Sequence, residues 1–406
     1  MTSLKPILIA GGGLSSLLLA RSLLRANIPF RVFERDASIV FRAQGYRLRL
    51  SPEGLDAIEA VLGPADFERF YARCGKTGGA GFVAIDPLTG DTLGAEHPSV
   101  APELLTSRDN KVVGISRGDM RALFLEGCEA QLRWSHHVTG YTLTATGVRA
   151  VFADGSASEE GALLVGGEGV RSAVARQLAA GAVKVYDLGA RGIHGQAPST
   201  AFAALGEGVF RMADETTHGA GKRVFLITNV RGADMHDPTV DFGYTLVGSP
   251  GVIHPPSDDF TIVGAPAAQL AKQLTAAWHP RVKPLFDNIR ESEAAFWKLT
   301  CSSPDGVAQW ANEPRVTILG DAVHAMTPAG GNGANTAVRD AALLGRLLAE
   351  AGGWGEGVTK AYEDEMRVYA GVEVKKSYEQ ARIAFGIVID ADTPFLGLND
   401  QGGFGH

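Results

Sequence analysis

Three groups of residues have types and spacings that could do chemistry. The first is Gly11-x-Gly13-x-x-Ser16, placed after an apolar run and before a leucine-rich helical stretch. In that context the first glycine makes the turn and the second lets backbone amides approach a pyrophosphate. The helix N-terminus then supplies partial positive charge and unsatisfied N–H groups. Ser16 stands where a third glycine would allow close helix-to-strand packing, a mild departure because serine is small. Glu34 follows eighteen residues beyond Ser16, close to the roughly 20 expected for an acid that accepts ribose hydroxyls. A plain glycine turn beside a surface glutamate is the competing reading.

The second group is Gly320-Asp321-Ala322-Val323-His324, continuing through Pro328 to Gly331-Asn332-Gly333-Ala334-Asn335. It too follows an apolar strand and opens a helix. A carboxylate at the strand's end can hold polyol hydroxyls. The amides of Gly333, Ala334 and Asn335 at the helix start can face developing negative charge. Two anion-suited turns so far apart in one chain call for one long ligand. The third group is Ser116-Arg117-Gly118-Asp119-Met120-Arg121, in which Arg117 and Arg121 could approach that ligand or simply line a solvated helix face.

The elements that must position these residues can be read from periodicity. Pro6–Ala10 is short, apolar and bounded by glycine, as a strand buried in a parallel sheet should be. Leu14–Asn27 carries leucines at helical spacing, and Phe30–Glu34 is a second strand, completing a βαβ unit of about 30 residues. Asp119–Arg133 has helical period, and Tyr141–Phe152 and Leu163–Val165 are strand-like. Val316–Leu319 is a further buried strand, and Ala334–Ala351 and Ala361–Ile389 are helical. Between them, 75–106 and 186–299 hold short β-like runs broken by glycine and proline, with a helix near Ala265–Trp278. The expected fold class is therefore α/β: a discontinuous Rossmann-like domain on a parallel sheet, made of 1–74, 107–185 and 300–355. A mostly antiparallel β-sheet substrate domain (75–106 and 186–299) is inserted in it, and a C-terminal helical segment and tail (356–406) follows.

Composition narrows the partners. The 406 residues are 45% hydrophobic and 20% charged, so the chain should bury real cores, and its 51 glycines imply many tight turns. A formal charge of −7 offers no basic field for nucleic acid or anionic lipid, which favours a small-molecule partner. Three scattered cysteines, Cys74, Cys128 and Cys301, favour neither a disulfide framework nor a zinc site, and His136-His137 lacks a third ligand nearby. No run reaches the roughly 18 to 20 apolar residues that span a bilayer, and Met1–Ala10 is too short and weakly charged for a signal peptide. A cytoplasmic location is the expectation, with no metal and no integral membrane segment; the oligomeric state is left open.

Taken in order, the motifs resemble the flavin-dependent monooxygenases of the p-hydroxybenzoate hydroxylase-like family, closest to their fungal secondary-metabolite branch. The match covers about 5–55, 111–176 and 315–385, including Arg339-Asp340-Ala341-Ala342-Leu343 after the late turn. The resemblance implies noncovalent FAD. Its ADP half would lie on Gly11, Gly13 and Glu34, with Leu14, Ser15 and Arg35 beside them. Asp321 would lie at the ribityl or pyrophosphate side, Gly331 and Gly333–Asn335 at the pyrimidine edge of the ring, and Arg117 and Arg121 near the cofactor. In the middle motif relatives carry Asp-Gly, whereas this chain reads Gly166-Gly167-Glu168-Gly169, so Glu168 is expected at the cofactor with one methylene more.

The implied reaction is NAD(P)H-driven: NADPH or NADH reduces the flavin, and dioxygen supplies one oxygen atom to a hydrophobic aromatic, indole or polycyclic substrate by hydroxylation or epoxidation. At the reacting end the expected residues are Arg47, Pro328 and Arg191. Arg191 and His194 lie three apart, so at most one faces the substrate from a regular strand; Arg191 is favoured of the two as a donor to a substrate oxygen, with a structural ion pair as its equal alternative. Gly114-x-Ser116-x-Gly118 also fits a hydrolase nucleophile elbow. A triad would need an acid and then a histidine on later loops, the only tempting histidine lies within the second group, and Ser116 is better read as a helix cap. A flavin oxidase or dehydrogenase, and a flavin-binding protein with a non-redox cyclase or regulatory role, are the alternatives.

Overall fold

The computed structural model describes residues 5–39, 47–79, 81–94, 105–257 and 263–396. In chain order its first part comprises β1 (Ile7–Ala10), α1 (Leu14–Arg25), β2 (Phe30–Phe33), β3 (Arg47–Leu50), α2 (Pro52–Leu62), α3 (Pro64–Arg73), β4 (Gly75–Thr77) and β5 (Phe82–Ile85). Next come β6 (Val112–Ser116), α4 (Arg117–Leu125), β7 (Leu132–Arg133), the hairpin β8 (Val138–Leu143) and β9 (Val148–Phe152), β10 (Leu163–Gly166) and α5 (Ala173–Leu178). The middle holds β11 (Tyr186–Pro198), β12 (Gly208–Asp214), β13 (Val224–Val230), β14 (Asp241–Gly248), α6 (Ala265–Leu274), α7 (Pro284–Asp287) and β15 (Ala295–Cys301). The chain returns through β16 (Val316–Ile318), the single turn α8 (Asp321–His324), α9 (Gly333–Glu350) and α10 (Val358–Phe385).

Among the described residues a five-stranded parallel sheet runs β16-β10-β1-β2-β7. Its central strand β1 is buried at all four positions, which is why it reads as a continuous apolar run and not an alternating one. Both glycine turns leave the carboxyl ends of strands in this sheet, where open α/β sheets bind ligands. Ser51 starts α2 by accepting from the Gly54 amide at 3.1 Å, with Pro52 at the first helical position. Ser116 likewise caps α4 through the Asp119 amide at 3.0 Å, the role expected of it.

A six-stranded sheet, β15-β11-β14-β13-β12-β5, is antiparallel except for the β5–β12 pair. β4 does not join it: Gly75–Thr77 pairs with β6 in a small sheet ordered β3-β6-β4. The helix expected over Asp119–Arg133 ends at Leu125, and Leu132–Arg133 becomes the edge strand β7, because Gly127 at φ +79° turns the chain.

The two faces of the large sheet differ. Ile193, Leu246, Leu226 and Met212 lie in register on one face, buried in a core with Trp278, Leu285 and Phe286. On the opposite face His194, Thr245, Ile227 and Arg211 form a row that is only half-buried. On one side of that row Phe225, Val247 and Trp297 pack with Met326, Ala329 and Phe385, and on the other Val209 and Phe82 pack with Val112 and Leu105. Among the described residues the row thus lies between two packed patches, one of which includes Met326 and Ala329 of the late glycine turn.

Candidate functional site

The early turn is built around Gly11, whose φ is +87° and whose hypothetical Cβ would lie 2.5 Å from the Gly167 carbonyl oxygen. At Gly13, φ is −75° and an added Cβ would meet nothing closer than 3.8 Å, so the protein itself makes no demand for glycine there. That is the position where a bound pyrophosphate needs close backbone approach. The Ser16 departure has a packing reason: a Cβ on Gly167 would overlap Ser16 Oγ, so β10 and its following turn supply the small residue that α1 does not.

Glu34 is buried and accepts from the Gly12 amide at 2.6 Å and the Asp36 amide at 2.9 Å. The buried Arg121 donates from Nε to the Gly12 carbonyl at 2.8 Å and lies 3.3 Å from Glu34. Arg121 therefore holds the turn and the acid together at the place where it is expected to approach the cofactor. Arg35, next in sequence, is exposed and lies 4.0 Å from Asp36.

Glu168, expected at the cofactor, has its carboxylate engaged locally. Its extra methylene lets the carboxylate turn back and cap α5, accepting from Ser172 Oγ at 2.7 Å and the Val174 amide at 3.1 Å. Burial pushes this carboxyl above its ordinary range, against the opposing pull of those hydrogen bonds and Arg176.

The late turn touches the early one. Gly320 has φ +61°, and a Cβ there would lie 2.8 Å from Ser15 Oγ on the first turn of α1, beside Leu14. Asp321 opens α8 at that junction. Water reaches its carboxylate, yet protein walls it closely enough that desolvation raises its pKa; His324 and Arg117 oppose that rise and Asp340 adds to it. Arg117, at the first position of α4, is thereby placed near the late turn.

Asn335 spends its side chain on the backbone, accepting from the Ser51 amide at 2.9 Å and donating to the carbonyls of Arg49 at 3.0 Å and Gly331 at 2.9 Å. It clamps the loop to β3, and what it and its neighbours Gly333 and Ala334 offer a ligand is first-turn amides, which have no intrahelical acceptor. Gly331 sits at φ +63°, and Pro328, exposed, opens the short 3-10 turn before it.

Arg191, expected at the reacting end, is engaged with a carboxylate of its own strand. It forms a two-pronged ion pair with Asp187, at 2.6 and 3.0 Å, with Lys298 at 3.6 Å from the same carboxylate. In register it shares the face of Ile193 and Phe296, turned away from the half-open row. His194 occupies that row. Its ring stacks on Trp297, centroids 5.2 Å apart, its Nδ1 lies 3.1 Å from Thr245 Oγ1, and burial pushes its pKa down to about 4, so it is neutral at pH 7.

Arg47 borders a cleft of about 360 Å³ with Ser116, Asp119, Gln196, Gly243 and Glu293. Its Nη2 donates to the Gly114 carbonyl at 2.9 Å, and desolvation, with Arg231 nearby, lowers it to about 10. The Ile227–Thr245–Arg211 part of the half-open row carried no motif; only the alternation of β12, β13 and β14 against their buried partners could have found it.

The arrangement joins two helix N-termini and a strand-end carboxylate along one line of sheet ends, as a long dinucleotide requires. The sequence profile described as FAD binding domain matches residues 120–376. The chain belongs to this family of FAD-binding proteins. It is that of the p-hydroxybenzoate hydroxylase-like monooxygenases, as the motifs led one to expect. A dual O-methyltransferase/FAD-dependent monooxygenase of Phaeosphaeria nodorum is 30% identical over 381 residues, 85% of this chain. The chain spans only 40% of that relative's length. An FAD-dependent monooxygenase of Arthroderma benhamiae is 27% identical over 406 residues, covering 93% of this chain and 92% of the relative. The fold is shared with HpxO of Klebsiella pneumoniae in complex with FAD and uric acid, at TM-score 0.70 and 20% identity, over 94% of this chain and 89% of that one. In this FAD-binding chain no helix of the described residues is long and apolar enough to cross a membrane. No cluster of three or more His, Cys, Asp or Glu that could hold a metal occurs among them.

Proposed function

We propose that the chain is an NAD(P)H-driven FAD monooxygenase that places one oxygen atom of dioxygen on an aromatic, indole or polycyclic substrate. In balance, substrate, dioxygen, NAD(P)H and a proton give oxygenated substrate, water and NAD(P)+. The observation that carries the reading is the contact of the two glycine turns at Ser15 and Gly320, which brings two anion-suited helix N-termini to one groove.

The FAD, when bound, supplies the redox and oxygen chemistry. The chain's own residues bind, orient and shield. Glu34, held by Gly12 and Arg121, presents an oriented carboxylate at the ribose end, and the room at Gly13 admits the pyrophosphate. Asp321 would accept polyol hydroxyls of the FAD, and the first-turn amides of α9 would stabilise negative charge on its ring. The substrate lies over His194, Thr245, Ile227 and Arg211, between patches whose packing excludes water. Neutral His194 offers a hydrogen bond without charge, and Pro328 and Arg47 border the approach.

Purified protein tests this directly. It should be yellow, bleach with NADH or NADPH under anaerobic conditions, and carry one atom of labelled dioxygen into product. Peroxide release with no label in the product would assign an oxidase, and a yellow protein that neither nicotinamide bleaches, with or without substrate, would assign a non-redox role.

A further inference from the structure

Beneath Asp321 lies a second charged group that the reading above does not use. His324 and Asp340 are both fully buried, with Nε2 2.6 Å from Oδ2. Asp340 Oδ2 also accepts from the Gly320 amide at 2.7 Å, and its Oδ1 accepts from Tyr369 Oη, also at 2.7 Å. One carboxylate on α9 thus holds the turn that carries Asp321, the helix α8 behind it and the long helix α10. His324 Nδ1 is buried with no hydrogen-bond partner, so the imidazole is committed to Asp340.

We propose that His324 and Asp340 form a charge-balancing positioning pair for the FAD site: an imidazolium held under Asp321 offsets the two carboxylates, so that the groove tolerates an anionic pyrophosphate. The inference rests on the reading that Asp321 faces FAD. Asp321 on α8 and Asp340 on α9 act directly on His324; around them Tyr369 on α10 donates to Asp340, Tyr362 on the same helix feels Asp340, Arg117 on α4 acts on Asp321, and Arg171 belongs to the 3-10 turn packed against α8. Burial alone would discharge the imidazole, but Asp340, and then Asp321, reverse that and hold its pKa above the ordinary value. With His324 charged the three central groups sum to one negative charge; with it neutral they sum to two.

The test is FAD affinity, measured as quenching of flavin fluorescence by apoprotein, with the fold of each variant checked by thermal melting. His324→Gln should weaken FAD by about tenfold, the weight of one unbalanced charge beside a partly buried anion. Adding Asp340→Asn, which keeps an acceptor for Gly320 while removing the second charge, should restore most of that loss. Wild-type affinity should fall as pH rises through the His324 titration, and the double variant should show no such fall. Should His324→Gln misfold, His324→Asn takes its place. Two losses that add without rescue, or an unchanged pH profile in the double variant, overturn the proposal. If Asp321→Ala leaves FAD affinity unchanged, it is the placement of FAD against Asp321 that fails instead.

Discussion

Two glycines two residues apart should respond to the same substitution in opposite ways. At Gly11 an alanine must adopt φ +87° and put its Cβ 2.5 Å from a backbone oxygen that cannot move aside. The left-handed conformation costs roughly 1–2 kcal/mol and the overlap about 1–3 kcal/mol, so Gly11→Ala should destabilise the apoprotein by about 2–5 kcal/mol. At Gly13, φ −75° suits alanine and the nearest atom is 3.8 Å away, so Gly13→Ala should leave the apoprotein unchanged or raise its stability by about 0.4–1 kcal/mol. The same methyl group occupies the space a pyrophosphate needs, and overpacking of about 1–3 kcal/mol there weakens FAD by roughly fivefold to 150-fold. Denaturant melts of both apoproteins and fluorescence titration with FAD give the two quantities separately. If Gly13→Ala lowers apoprotein stability as much as Gly11→Ala, or binds FAD as tightly as wild type, the division of roles between the two glycines is wrong.

Glu34→Gln should cost about 1.5–3 kcal/mol in urea unfolding, because the buried Arg121 would lose one of its two acids while Asp36 stays 3.8 Å away, and Arg121→Met in that background should recover part of the loss. Arg191→Leu should lower the melting temperature while leaving KM for any accepted substrate within about twofold, given its place on the far face of the sheet; a tenfold rise in KM would return it to the substrate. His194 has a folded pKa near 4, below its unfolded value of about 6.5, so the unfolded chain binds the extra proton between those values. Stability should therefore fall as pH drops from about 6.5 to about 4, and His194→Gln should flatten that limb in melts followed across pH.

Much of the framework of the candidate site was legible because its signals are local. Gly11 needs glycine for a turn between adjacent elements, Ser116 caps the helix it begins, and β1 betrays its double burial by an unbroken apolar run. Periodicity failed where a local pattern continued past a structural break, as after Leu125, where the turn at Gly127 ends the helix although the apolar spacing runs on. Arg191 and His194 show a different limit. Alternation establishes that they face opposite sides, but which side is packed into the core depends on Ile193 and Phe296 meeting helices far away in the chain.

The amino-acid order by itself determined the two glycine turns, the strands and helices that flank them and the α/β class, since each rests on contacts within a few tens of residues. Only the tertiary structure decided that Ser15 meets Gly320, that Arg121 supports Glu34, that Glu168 caps α5, and that a half-open row of one sheet face lies beside the late turn. Those outcomes depend on which distant surfaces exclude water from one another, and burial of that kind has no signature in the spacing of neighbouring residues.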